Sequence, residues 1–162
     1  MSKLKISKND TCISGEYYMA HVLAKYGFKV SMTLGRMEVF DLFVQNPQGK
    51  NLTISVKTTY SNESKFLLMN EKHETLIDES LFYAFVRLNM PDGVPEFWIV
   101  PSTIVAPIIK REHEIHMTKT FKNGKPHKES PMRNFYLQGQ ANYPDDWEEQ
   151  LKGFKSNVKS LE

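Results

Sequence analysis

A lysine and an aspartate stand inside two short apolar runs: Lys57 closes Ile54-Ser55-Val56-Lys57, and Asp41 sits within Val39-Phe40-Asp41-Leu42-Phe43-Val44. A carboxylate and an ammonium in such surroundings are costly to bury unless they pair or hold a metal, which marks both as candidate site residues. The two runs read as strands separated by the turn signal Asn46-Pro47-Gln48-Gly49. Alternate side chains of a strand share a face, so Ser55 and Lys57 point together, away from Ile54 and Val56, and an antiparallel partner can place Asp41 beside them. This is the grouping that metal-dependent phosphodiester cleavage requires. A carboxylate holds a divalent cation, the cation polarises the phosphate and acidifies a water, and a nearby lysine orients the nucleophile or steadies developing charge. An ion pair at a sheet edge facing water accounts for the same residues and stays open at this point.

The elements that must position these groups can be read along the chain. Upstream, Ser14-Gly15-Glu16 opens a helical stretch, with Ser14 as its cap and Glu16 in the first turn, where the macrodipole favours an acid. Tyr17, Ala20, Leu23 and Ala24 give it an apolar stripe and Gly27 a stop, so the helix can bring a second acid to the same end of the sheet. Three β-rich runs, 28–34, 37–45 and 51–58, follow as a meander joined by Gly35-Arg36 and the Pro-Gly turn. Past a polar connection come a short helix over 72–78, a strand over 81–88, a turn over 89–93 and a strand over 96–100 that stops at Pro101. Ser102 is expected to cap the next helix, with Pro107 within its first turn or at a kink. A short run over 134–137 leads to the acid-rich 144–149, which opens a closing helix reaching Phe154.

This order of helix, hairpin and strand with lysine resembles the PD-(D/E)xK nuclease superfamily, the restriction-endonuclease-like fold, over roughly residues 14–100. The resemblance implies an α/β chain: a mixed sheet with flanking helices built on an αβββαβ core. It further implies a magnesium-dependent (or manganese-dependent) endonuclease that hydrolyses DNA. Glu16 looks like the family's helix-borne acid, Asp41 like its aspartate and metal ligand, and Lys57 like its lysine. Where the family usually has Glu or Gln two residues before the lysine, this chain has Ser55, a poor ligand for a hard cation. Some restriction enzymes of the superfamily also carry serine there and recruit a glutamate from a following helix. Glu71 and Glu74 are the expected replacements, with a solvated helix face as the alternative for each. If neither reaches the metal, the expectation is a site that holds a cation weakly or does no chemistry, and the alternative to the endonuclease is a nuclease-fold module that binds DNA or a protein partner without cutting.

The 162 residues fit one domain with a core of its own. A single cysteine, Cys12, excludes an internal disulfide framework and a cysteine-rich zinc site and is expected as a small, partly buried thiol. No apolar stretch approaches the roughly twenty residues that span a bilayer, and the first residues lack a signal-like apolar region, so the expected home is the cytoplasm. A net charge of +2 argues for nucleic acid only through local clustering. That cluster lies at 119–133, where Lys119, Lys122, Lys125, Lys128 and Arg133 face a single acid, Glu129. The segment is expected as an exposed, mobile loop, read either as a phosphate-contacting arm or as an ordinary solvated loop. His113-Glu114-Ile115-His116 is one residue short of a zincin spacing and reads as a polar helix end. Tyr60 is expected to pack at the sheet edge. Cutting both strands of a duplex would most simply use a homodimer.

Overall fold

A computed structural model describes residues 6–33, 40–61 and 63–162. Its first helix, α1 (Lys8–Lys25), begins at a capping box: the Asp10 amide donates to Ser7 Oγ at 3.1 Å and the Ser7 amide to the Asp10 carboxylate at 3.2 Å. These bonds satisfy donors that a helix start otherwise leaves bare. Ser14 therefore does not cap the helix, and Glu16 lies at its middle instead of its first turn. The reason is spacing, since a box needs its acid three residues after the serine, and Ser7 has Asp10 there whereas Glu16 follows Ser14 by two. Gly27, at φ +85°, ends the helix in the left-handed region as expected.

Among the described residues seven strands follow: β1 (Lys29–Met32), β2 (Leu42–Gln45), β3 (Asn51–Thr59), β4 (Phe66–Asn70), β5 (Leu81–Arg87), β6 (Glu96–Pro101) and β7 (Met132–Tyr136). The helices α2 (Ser102–Thr118) and α3 (Trp147–Phe154) complete the frame. A five-stranded mixed sheet has the order β1-β2-β3-β5-β6, in which β1, β2 and β3 form the expected antiparallel meander and β3 runs parallel to β5. The Gly35-Arg36 connection and residues 37–39 lie outside the described residues.

The sheet separates two apolar cores. Leu42, Ile54, Val56, Ala84 and Ile99 pack with Met19 and Leu23 of α1. Tyr83, Phe85 and Val100 pack on the other side with Val105 and Ile109 of α2, Phe135 and Trp147. Successive residues of β5 alternate between these cores, which is why its sequence is apolar throughout.

The parallel step from β3 to β5 needs a crossover, and here it is made by β4 and a 3-10 turn (Glu71–Glu74) where a helix over 72–78 was expected. β4 pairs with β7 in a separate two-stranded sheet, so a segment read as a polar connection is a strand. Ser102 is the first residue of α2, not its cap; its hydroxyl donates to the Asp78 carbonyl at 2.7 Å and accepts from the Asp78 amide at 2.9 Å. Pro107 lies inside the helix, beyond its first turn. Among the described residues no helix is long and apolar enough to cross a membrane.

Candidate active site

The register of β2 on β3 decides where the charged groups point. Leu42 is opposite Ile54 and both side chains enter the α1 core, so Asp41 and Ser55, one step along, face the other way together with Lys57. The Asp41 amide donates to the Ile54 carbonyl at 2.9 Å, continuing the ladder. The Asp41 carboxylate then takes over the pairing: its Oδ2 accepts the Val56 amide at 2.6 Å and the Ser55 hydroxyl at 3.4 Å. Ser55, 2 % exposed, is thus a group that orients the aspartate.

Beyond this point β3 outruns β2. Among the described residues, the Val56–Thr59 stretch has β5 as its neighbour on one side only. Groups from both sides of the sheet meet around this stretch of β3. α1 approaches it closely: a Cβ built on Gly15 would lie 1.9 Å from Thr58 Oγ1. The next residue, Glu16, joins Asp41, Lys57 and Cys12 in lining one cleft of about 530 Å³.

The electrostatics agree with that convergence. Burial pushes the Glu16 carboxyl up, the Asp41 charge pushes it further, and Lys57 opposes. Burial holds the Lys57 ammonium below the usual lysine value, against the pull of Asp41 and with the help of Lys72. A lysine so placed is easier to deprotonate than one in water.

Four site residues expected from the sequence, Glu16, Asp41, Ser55 and Lys57, thus meet at the end of β3. Others do not. Glu74 is ion-paired with Arg133, and Glu71 is exposed, its amide bonded to the Pro131 carbonyl at 2.8 Å; neither lines the cleft. Arg133 is not part of a solvated arm: it is 5 % exposed, held by Glu74 and by the Ser130 and Met132 carbonyls at 2.5 and 3.0 Å. Its place on β7 opposite Met69 turns it inward, because a buried guanidinium needs fixed acceptors and finds three here. Lys119 donates to Asn142 Oδ1 at 2.7 Å, while Lys122, Lys125 and Lys128 are exposed. None of these lysines lines the cleft.

The cleft also contains residues that the sequence reading missed. Lys8 lies two turns before Glu16 on α1, and Lys65, Phe66 and Leu68 belong to the β4 segment. Tyr60 is 55 % exposed and lines the cleft, contrary to the expected edge packing. Cys12 is exposed at the same cleft, where a partly buried thiol was expected. The signal for Lys65 was its position next to an apolar run eight residues after Lys57; it became legible only once that run was known to be a strand.

No protein-family model and no curated relative matches the sequence. Among solved structures, the chain is similar to a bacterial homing endonuclease, I-Ssp6803I, at a TM-score of 0.53 and 12% identity, over 94% of this chain and 88% of that one. The likeness is one of fold, an α/β frame with a mixed sheet and flanking helices.

Proposed function

We propose that this chain is a magnesium-dependent nuclease that hydrolyses DNA phosphodiester bonds at the cleft around Asp41. The observation that carries the reading is the convergence of Asp41, Glu16 and Lys57 in one cleft at the end of β3. The fold shared with a homing endonuclease supports DNA as the polymer.

The donor set suits a hard cation. Two carboxylates face one cleft, and the charge of Asp41 raises the proton affinity of Glu16, a repulsion that a divalent cation would relieve. Magnesium, or manganese in its place, keeps several waters and needs only one or two protein carboxylates beside the phosphate, so Asp41 and Glu16 suffice without a later glutamate. When bound, the cation would polarise the scissile phosphate and make a water more acidic. Asp41 is held for that task by the Val56 amide and the Ser55 hydroxyl. Lys57, its charge disfavoured by burial, can accept the proton of the attacking water; in its charged form it steadies the phosphoryl oxygens. A water oxygen–phosphorus bond forms, one ester bond breaks, and the leaving oxygen takes a proton from solvent water, to which Lys57 returns the proton it accepted.

The test is nicking of supercoiled plasmid with magnesium. Wild-type protein should nick, and Asp41→Ala and Lys57→Ala should not; equal behaviour of all three preparations removes the enzyme reading. A second reading, binding without cutting, is favoured by one observation. Ser55, a neutral hydroxyl two residues before Lys57, stands where a second strand-borne acid would be and is bonded to the Asp41 carboxylate. It is distinguished by retention of the plasmid on the protein with no loss of supercoiling.

A further inference from the structure

Away from the cleft, α2 leads into a closed turn carrying a cluster of tilted rings. The Phe121 amide donates to the Lys125 carbonyl and the Gly124 amide to the Phe121 carbonyl, both at 2.8 Å, and Thr120 pairs with Pro126 across the base of the turn. Gly124, at φ +77°, supplies the left-handed residue that so tight a turn needs. The segment expected to be a mobile loop is therefore a short hairpin with its own hydrogen bonds.

The Phe121 ring lies 4.0 Å from that of His127, which lies 4.1 Å from that of His116 on α2. This backing holds Phe121 in place while leaving it 51% exposed. Together with Asn123, Lys125, Pro126 and Lys128, the rings of Phe121 and His127 line a hollow of about 620 Å³. The only acid in the segment, Glu129, is taken up by His113 at 2.8 Å and Arg133 at 3.8 Å, so the lysines at the hollow are not neutralised by it.

We propose that this hairpin binds a single-stranded stretch of nucleic acid, stacking one base on Phe121 and holding the flanking phosphates with Lys125 and Lys128. The choice of a polynucleotide rests on the nuclease reading above; the choice of a single strand rests on the exposed ring. Any base offers a π face to such a platform, whereas in a duplex both faces are covered by neighbouring bases. Lysines at the rim meet the backbone without reading its sequence.

The test measures binding of labelled DNA and RNA oligonucleotides of roughly ten nucleotides, and of the matching duplex, by fluorescence anisotropy. It uses the Asp41→Ala protein in chelator, so that nothing is cut. The contribution of Phe121 should be confined to single strands and absent for duplex, and a preference between DNA and RNA identifies which strand the site serves. Adding Phe121→Ala should weaken single-strand binding about tenfold or more, while Phe121→Trp retains it. Adding Lys125→Ala should flatten the dependence of log affinity on log salt by roughly 0.7. The proposal is overturned if Phe121→Ala binds single strands as well as its parent, if Phe121→Trp fails alongside it, or if Phe121→Ala weakens duplex binding as much as single-strand binding. Since the assay involves no cleavage, an uncut plasmid would remove the nuclease reading and leave this result standing.

Discussion

Replacing Gly15 with alanine sets two effects of opposite sign against each other. Glycine in a helix interior is about 1 kcal/mol worse than alanine, so propensity alone makes Gly15→Ala stabilising. The added Cβ, however, would meet Thr58 Oγ1 at 1.9 Å, Cγ2 at 2.8 Å and Cβ at 2.9 Å. Rotating the threonine moves the first two atoms but not its Cβ, so relief requires a shift of α1 or of β3. Overpacking of that kind costs about 1–3 kcal/mol, enough to reverse the propensity gain and leave a net loss of up to about 2 kcal/mol. Thr58→Ala should itself be mild, because Thr58 Oγ1 is buried without a hydrogen-bond partner among the described residues. In that background Gly15→Ala loses its two worst contacts, and the pair should show a coupling of about 1–2 kcal/mol. Urea unfolding of the four proteins measures it, and plasmid nicking reads the consequence, since Glu16 moves with the helix. A Gly15→Ala protein more stable than wild type by about 1 kcal/mol, or simple additivity with Thr58→Ala, would refute the close approach that brings Glu16 to the cleft.

Three further outcomes follow from the packing. His73 is 5% exposed, accepts the Asn70 amide on Nδ1 at 3.0 Å and is pushed down to about 4, chiefly by burial. Its neutral form is favoured by folding, so between pH 6.5 and 4 the unfolded chain binds the extra proton; stability falls as pH drops through that window, by about 3 kcal/mol. Denaturant titrations from pH 7 to 4 should show this loss and His73→Phe should flatten it. Arg133→Met leaves Glu74 half-buried without its guanidinium and should cost about 3 kcal/mol in thermal or chemical unfolding, whereas Lys122→Met should leave stability unchanged. Ser55→Ala removes one of the two hydrogen bonds to Asp41 Oδ2 and should slow nicking about tenfold, while Ser55→Thr, which keeps the hydroxyl, retains more of the rate.

The part of the site carried by β2 and β3 was legible because period-two alternation and one turn fix which side chains share a face. Asp41, Ser55 and Lys57 needed nothing more. The start of α1 was not, because two serines compete as caps and Gly15 reads as a helix boundary until Thr58 is seen against it. β4 was missed for a related reason. Leu67, Leu68 and Met69 are not β-branched, and the strand exists through pairing with β7, far along the chain. That distant pairing also turned Arg133 inward to Glu74, which removed one member from the basic arm and one candidate ligand from the cleft.

Calorimetric titration of magnesium or manganese into wild type, Asp41→Ala and Lys57→Met tests the shared cation site most directly. One site per chain is expected in the wild type. It should vanish with Asp41, and it should tighten in Lys57→Met, which removes a positive charge from the cleft and abolishes nicking at the same time. Equal binding by all three proteins, or no binding by the wild type, contradicts a metal held between Asp41 and Glu16 beside Lys57.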